Sequence, residues 1–181
     1  MTVKPWTPAA LCFAVVCAGS AFAGSAFAQS PDRVAAHTDW SVFVAASPKE
    51  CYIVSPPKSS AATRDGKPAE VQRGDVRLFV AFRPGENVTN EVSFTGGYPF
   101  REGSNVTLTV GGQSFALVPG AGEAGEWAWT SPSDDSQVVA ALKRGASATL
   151  VGTSSRGTRT EDTFSLSGFT AAVEDAAARC R

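Results

Sequence analysis

Residues 105–118 read NVTLTVGGQSFALV. In the first half Val106, Leu108 and Val110 alternate with Thr107 and Thr109, a period of two that turns one face of a strand to a core and the other to water. Gly111-Gly112 interrupts the run and residues 113–118 resume it. A two-residue hairpin loop needs positive φ at both positions, which glycine adopts without steric cost. The stretch therefore predicts a β-hairpin.

The same signals recur on both sides of it. Residues 40–44, 51–54, 76–83, 91–94, Trp127–Trp129, 146–153 and 160–166 read as short strands rich in β-branched and aromatic residues. The strongest is 76–83 (VRLFVAFR), stopped by Pro84-Gly85. Residues 55–67, rich in Pro, Ser and Lys, read as a loop. About eight short strands with glycine turns predict an all-β domain, a β-sandwich or barrel.

Two helices punctuate this pattern. Ser133 is placed to cap the first, which has Asp134 and Asp135 in its first turn, Lys143 and Arg144 in its last, and Gly145 at its stop. Acid at the start and base at the end complement the helix dipole. The second runs from about residue 168 to Cys180, with Phe169, Ala172, Val173, Ala176 and Cys180 at helical spacing on one face.

The N-terminus sets the compartment. After Lys4, residues 9–23 form an apolar run too short to span a membrane, followed by small-residue processing sites at Ala21-Phe22-Ala23 and Ala26-Phe27-Ala28. Residues 1–28 read as a signal peptide cleaved after Ala28 or Ala23, residues 29–39 as a flexible lead-in, and 40–181 as one domain. Bulky Val16 before Cys17 argues against a lipid-anchored form. Lys4 is the only charge the leader removes from 16 Lys+Arg and 17 Asp+Glu, which leaves the mature chain near neutral, at −2. No cationic surplus exists to hold a nucleic acid, and no second apolar run is long enough to span a membrane. Of the four cysteines only Cys51 and Cys180 survive processing. An exported chain with two cysteines reads as one disulfide, here tying the terminal helix to the second strand.

The C-terminal third carries a family pattern: DSQVVAALKRG at 135–145, the Ser-Arg-Gly-Thr turn at 155–158, and Ser165-Leu166-Ser167-Gly168-Phe169 leading to Cys180. Upstream, Trp40 before Cys51, the Arg73-Gly74 step and Gly97-Tyr98-Pro99 fit it too. The chain resembles the invasion-associated locus B family of exported alphaproteobacterial proteins. One departure is Val44, where members close to the founding protein carry a cysteine four residues after the first tryptophan. The resemblance implies a β-rich envelope protein. It supplies no catalytic residue.

Candidate sites are sparse. His37, the sole histidine, falls in the lead-in, and no Gly-x-Ser-x-Gly is present, so Ser-His catalysis is not expected. Asp134-Asp135 and Glu161-Asp162 could hold calcium, but a helix start and a turn account for them. The turn at 154–159 offers hydroxyls, backbone amides and the cations Arg156 and Arg159 for an anion, although a soluble hairpin loop accounts for it equally. Trp127 and Trp129, two apart on a strand, face one side. Exposed, they form a contact platform; the more ordinary reading is burial, as for Phe79 between Leu78 and Val80. The expected function is that of an exported, non-enzymatic envelope protein, periplasmic or at the surface, that binds an envelope or host-surface protein or polymer. Its contacts would be Arg156, Arg159, Trp127 and Trp129, with no cofactor and no metal. The alternative is a periplasmic hydrolase that uses paired carboxylates on cell-wall or glycan material.

Overall fold

Alternation of apolar and polar residues runs through most of the chain. In the computed structural model, which describes residues 30–181, it gives twelve strands and two α-helices among those residues. The strands are β1 (Asp32–His37), β2 (Trp40–Ala46), β3 (Lys49–Ser55), β4 (Ser59–Arg64), β5 (Lys67–Pro68) and β6 (Arg77–Arg83), followed by β7 (Val88–Thr95), β8 (Val106–Val110), β9 (Gln113–Pro119), β10 (Trp127–Trp129), β11 (Ser147–Thr153) and β12 (Arg159–Ser165). Helix α1 (Asp135–Arg144) lies between β10 and β11, and α2 (Phe169–Arg179) closes the chain.

Every strand pairing is antiparallel, in one sheet of order β1-β2-β3-β6-β7-β10-β9-β8-β11-β12-β4-β5. The sheet folds over so that its halves share a core. Phe94 of β7 meets Phe164 of β12 edge-on, with ring centroids 6.1 Å apart. The Trp40 Nε1–H of β2 donates to the Ser165 carbonyl at the end of β12, at 3.0 Å. In the β8–β9 hairpin Val106, Leu108 and Leu117 are fully buried, as the alternation predicts, and each contributes about 1.5–3 kcal/mol by leaving water. Gly111 and Gly112 turn it with φ of 55° and 79°.

Both predicted helices form, and α2 buries the predicted face. Phe169 of α2 sets its ring edge-on to Trp40 at 4.9 Å, while Cys180, just beyond the helix, bonds to Cys51 of β3 with 5.8 Å between the Cα atoms. The all-β class, the internal helix and the disulfide-tethered terminal helix therefore hold. Three differences stand out. Residues 32–37, expected in a flexible lead-in, form β1 on β2. Residues 59–64 and 67–68, expected in a loop, form β4 and β5 beside β12. With these three, the nine segments read as strands become twelve among the described residues. All three extra strands lie at or near sheet edges and are mostly exposed, so they need no apolar face to mark them. The predicted signal peptide, residues 1–28, lies outside the described residues. Among those described, no helix is long and apolar enough to cross a membrane.

The start of α1 also differs from expectation. Ser133 Oγ bonds Ser131 Oγ and an Asp134 oxygen, and the helix proper begins at Asp135. Asp135 is not solvated. Its carboxylate is buried, accepting the Val92 amide at 3.1 Å and the Thr130 hydroxyl, and so ties α1 to β7. Burial pushes this carboxyl above the usual carboxylate range; the Thr130 and Val92 hydrogen bonds oppose the shift, and the charges of Glu91 and Asp134 add to it. A raised folded-state pKa means the group's stabilisation is complete below the ordinary carboxylate pKa, about 4, and is lost as pH rises through the raised value. Asp135→Asn, which keeps an acceptor without the charge, is expected to flatten that limb in denaturation measured from about pH 3 to pH 7. An unchanged pH slope would exclude Asp135 as its source. Asp135→Ala takes the acceptor from the buried Val92 amide, leaves Thr130 only the Val92 carbonyl at 3.3 Å, and should cost about 1–3 kcal/mol across the same range.

Candidate binding surface

Strand alternation places five aromatic rings on the outside of the sheet. In β6, Leu78, Val80 and Phe82 face the core, so Arg77, Phe79, Ala81 and Arg83 face outward. Cys51 and Ile53 of β3 point in, which turns Tyr52 out. Ala128 of β10 is fully buried between Trp127 and Trp129, which are half-buried on the outer face. The result is a continuous row. Phe43 of β2 stacks on Tyr52 at 5.1 Å, Tyr52 meets Phe79 at 6.0 Å, Phe79 meets Trp127 at 5.2 Å, and Trp127 stacks on Trp129 at 6.2 Å.

Between these rings the outward positions are small. Ser93 of β7 stands opposite Phe79 on one side and Trp129 on the other, and Ala81 stands opposite Tyr52. Small residues beneath large neighbours leave a groove of about 520 Å³ with Ala81 and Ser93 in its floor and Tyr52, Phe79, Trp127 and Trp129 in its walls. Val118 of β9, paired with Trp129 of β10 and 58% exposed, extends the apolar surface. At one end the Arg83 guanidinium donates to Glu91 at 2.7 Å, Glu86 at 2.9 Å and Glu50 at 3.4 Å. Its hydrogen bond to Glu91, above all, holds Arg83 even more firmly protonated than usual. Tyr52 has its phenol pushed upward, first by burial and then by the charge of Glu50.

A second cavity, of about 430 Å³, lies where the family-pattern pieces converge. Gly74 donates to the Gly97 carbonyl at 2.9 Å; Gly97 has φ of 68°, and a Cβ there would sit 2.6 Å from Gly74 O, so only glycine fits. Arg73 reaches Asp162 with two N–H groups at 2.8 and 2.7 Å, donates Nε–H to the Gly96 carbonyl at 2.9 Å, and lies 5.1 Å from the Tyr98 ring centroid. The Tyr98 hydroxyl bonds Thr160 Oγ1 at 2.6 Å.

The sequence-predicted contacts do not gather at one place. Trp127 and Trp129 share the groove, and Phe79, expected in the core, joins them. Arg156 lines the second cavity, whereas Arg159 is held by Glu161 at 3.1 Å. The amides of the 154–158 turn are largely committed: Ser154 N–H to Thr158 O, Ser155 N–H to Pro99 O, Gly157 N–H to Ser154 O and Thr158 N–H to Ser154 Oγ. Little donor capacity remains there for an anion. Of the Glu161-Asp162 pair, Glu161 bonds Arg159 and Asp162 is buried on Arg73. His37, on β1, bonds Asp175 of α2 at 3.0 Å. Sequence reasoning missed Tyr52, Ala81, Ser93 and Arg83. The signal was present, because fixing Leu78, Val80 and Phe82 inward fixes their neighbours outward.

Together these features describe a disulfide-stapled, strand-dominated domain that presents an aromatic outer face. Within that class the chain belongs to the invasion associated locus B family: the model described as "Invasion associated locus B (IalB) protein" matches residues 61–177, more than half the chain. The matched span holds Arg73, Gly97, the 155–158 turn and both groove tryptophans, while Cys51 and Cys180 flank it. No curated protein and no solved structure matches the chain. Family membership and the disulfide point to an exported protein.

Proposed function

We propose that this protein is an exported, non-catalytic binding protein that docks a component of the envelope or of a host surface on the aromatic face that ends in Trp127 and Trp129. One observation carries the reading: a row of five rings lies on the water side of a sheet whose other side already fills the core. Aromatic side chains in a small-floored groove supply large contact area at little cost in side-chain entropy. Arg156 and Arg159 line no part of this groove and serve as the comparison.

The test is cross-linking in the intact envelope. Trp127→Ala with Trp129→Ala is expected to reduce capture of the partner about tenfold or more, two lost aromatic contacts being worth roughly 1–3 kcal/mol together. Arg156→Ala with Arg159→Ala should leave capture near the parent level. The opposite pattern would move the contact surface to the 154–159 turn. The carboxylate-hydrolase alternative draws on Glu91 and Glu123, which line the same groove. Release of reducing ends from envelope glycan, abolished by Glu91→Gln, would replace the binding reading with that one.

A further inference from the structure

The groove is markedly unbalanced in charge. Arg83 is the one cation among its lining residues, against Glu50, Glu91 and Glu123, and Glu86 reaches the same guanidinium from the rim. One positive charge is thus shared among three carboxylates at 2.7–3.4 Å, and Glu123, on an exposed turn, adds a fourth. The ring faces around them are negative as well, through their quadrupoles. An anionic polymer would be repelled here, and a neutral glycan would leave the surplus carboxylates without a partner.

We infer that the groove seats a cationic polypeptide segment of the partner, its Lys or Arg stems lying along the aromatic walls and its charged heads meeting Glu50, Glu91 and Glu123. The inference rests on the aromatic face being the contact surface, and it names the chemistry that face selects. Long basic side chains are suited to such a site because their methylene stems cover apolar surface while the head stays with charge. The extent of the row favours a chain over a lone head group. Four successive ring spacings of 5.1, 6.0, 5.2 and 6.2 Å exceed what one ammonium group can cover, since a cation engages a ring only within about 6 Å of its centroid. The floor strands β6 and β7 are interior to the sheet, so recognition falls to side chains rather than to an added strand.

The experiment is titration of the full disulfide-bonded chain with hexalysine, followed by tryptophan fluorescence, beside hexaglutamate, N-acetylchitohexaose and phosphocholine. Hexalysine is expected to give a saturable change that weakens with salt, and the other three none. Ala81→Trp, which fills the floor, and Glu123→Lys, an exposed reversal with little structural risk, should each weaken hexalysine about tenfold, with thermal unfolding confirming that both variants fold. Absence of hexalysine binding, or binding unchanged in both variants, overturns the inference, and preferential binding of the sugar or of phosphocholine reassigns the groove. If hexalysine fails while Trp127→Ala with Trp129→Ala still abolishes envelope capture, only the cationic-peptide inference falls. If that capture is also unaffected, the aromatic-face reading falls with it.

Discussion

Reducing the Cys51–Cys180 bridge is expected to lower the unfolding free energy by up to about 5 kcal/mol, which corresponds to a fall of roughly 2 M in the urea midpoint. The two cysteines are 129 residues apart, so the bond closes nearly the whole domain into one loop. In the chain-entropy account that closure acts on the unfolded state, denying it most of its conformations. Native domains are stable by only about 5–15 kcal/mol, so the loss is a large share of the total. Helix α2 would not simply detach, because Phe169, Ala172, Val173 and Ala176 remain buried and Trp40 still packs on Phe169.

The measurement is urea unfolding of the oxidised protein, the reduced protein and the Cys51→Ala, Cys180→Ala pair, with free thiols titrated to prove reduction. The reduced protein and the double variant should fall together. A midpoint that does not move on verified reduction would place the stability of the fold in its core alone. Fold and compartment are thereby tied: a chain that depends on this bridge needs an oxidising environment, as an exported protein has.

How legible the molecule was in its sequence depended on what each residue faces. The β8–β9 hairpin, the strand at 76–83, both helices and the cysteine pair were readable because alternation, capping chemistry and compartment each leave a local mark. Strands β1 and β4 left none. Arg33 and Ser59 face water, and pairing at a sheet edge asks nothing of composition. The groove was half legible. Trp127 and Trp129 announced a shared side, but which side depended on Ala128 being the residue that fits the core. Phe79 reads as core because a run such as Leu78-Phe79-Val80 is apolar throughout, and only the sheet assigns its faces. The convergence of Arg73, Gly97 and Asp162 was invisible, since residues 89 apart in sequence, Arg73 and Asp162, meet only through the topology.

That convergence carries the second large effect. Arg73→Ala or Asp162→Ala is expected to cost about 3–5 kcal/mol, because each leaves its partner as an uncompensated buried charge. Asp162 is fully buried and Arg73 is 10% exposed. The carboxylate accepts two guanidinium N–H groups and the Ser60 hydroxyl at 2.6 Å. Arg73→Lys is expected to recover little, since one ammonium cannot reproduce the paired donors to Asp162 together with the third to Gly96. The double variant Arg73→Met, Asp162→Leu should be less destabilised than either single charge deletion, because an apolar pair of similar volume removes both desolvation penalties at once. A double-mutant cycle on urea midpoints measures the coupling. A loss below about 1 kcal/mol for Arg73→Ala would mean that water or another cation reaches Asp162, and the corner would not be the dry clamp its geometry implies. The pair joins β12 to the residues that lead into β6 and to the turn that ends β7, so it clamps the two halves of the folded sheet together. The two sets of variants should therefore cross: clamp variants lower the midpoint most while keeping hexalysine binding wherever they remain folded, and Trp127→Ala with Trp129→Ala loses binding with a smaller fall in the midpoint, from the half-buried ring contacts it removes. That crossing separates scaffold from surface among residues that share one family-matched span, because the clamp acts through burial and the tryptophans through what they leave exposed.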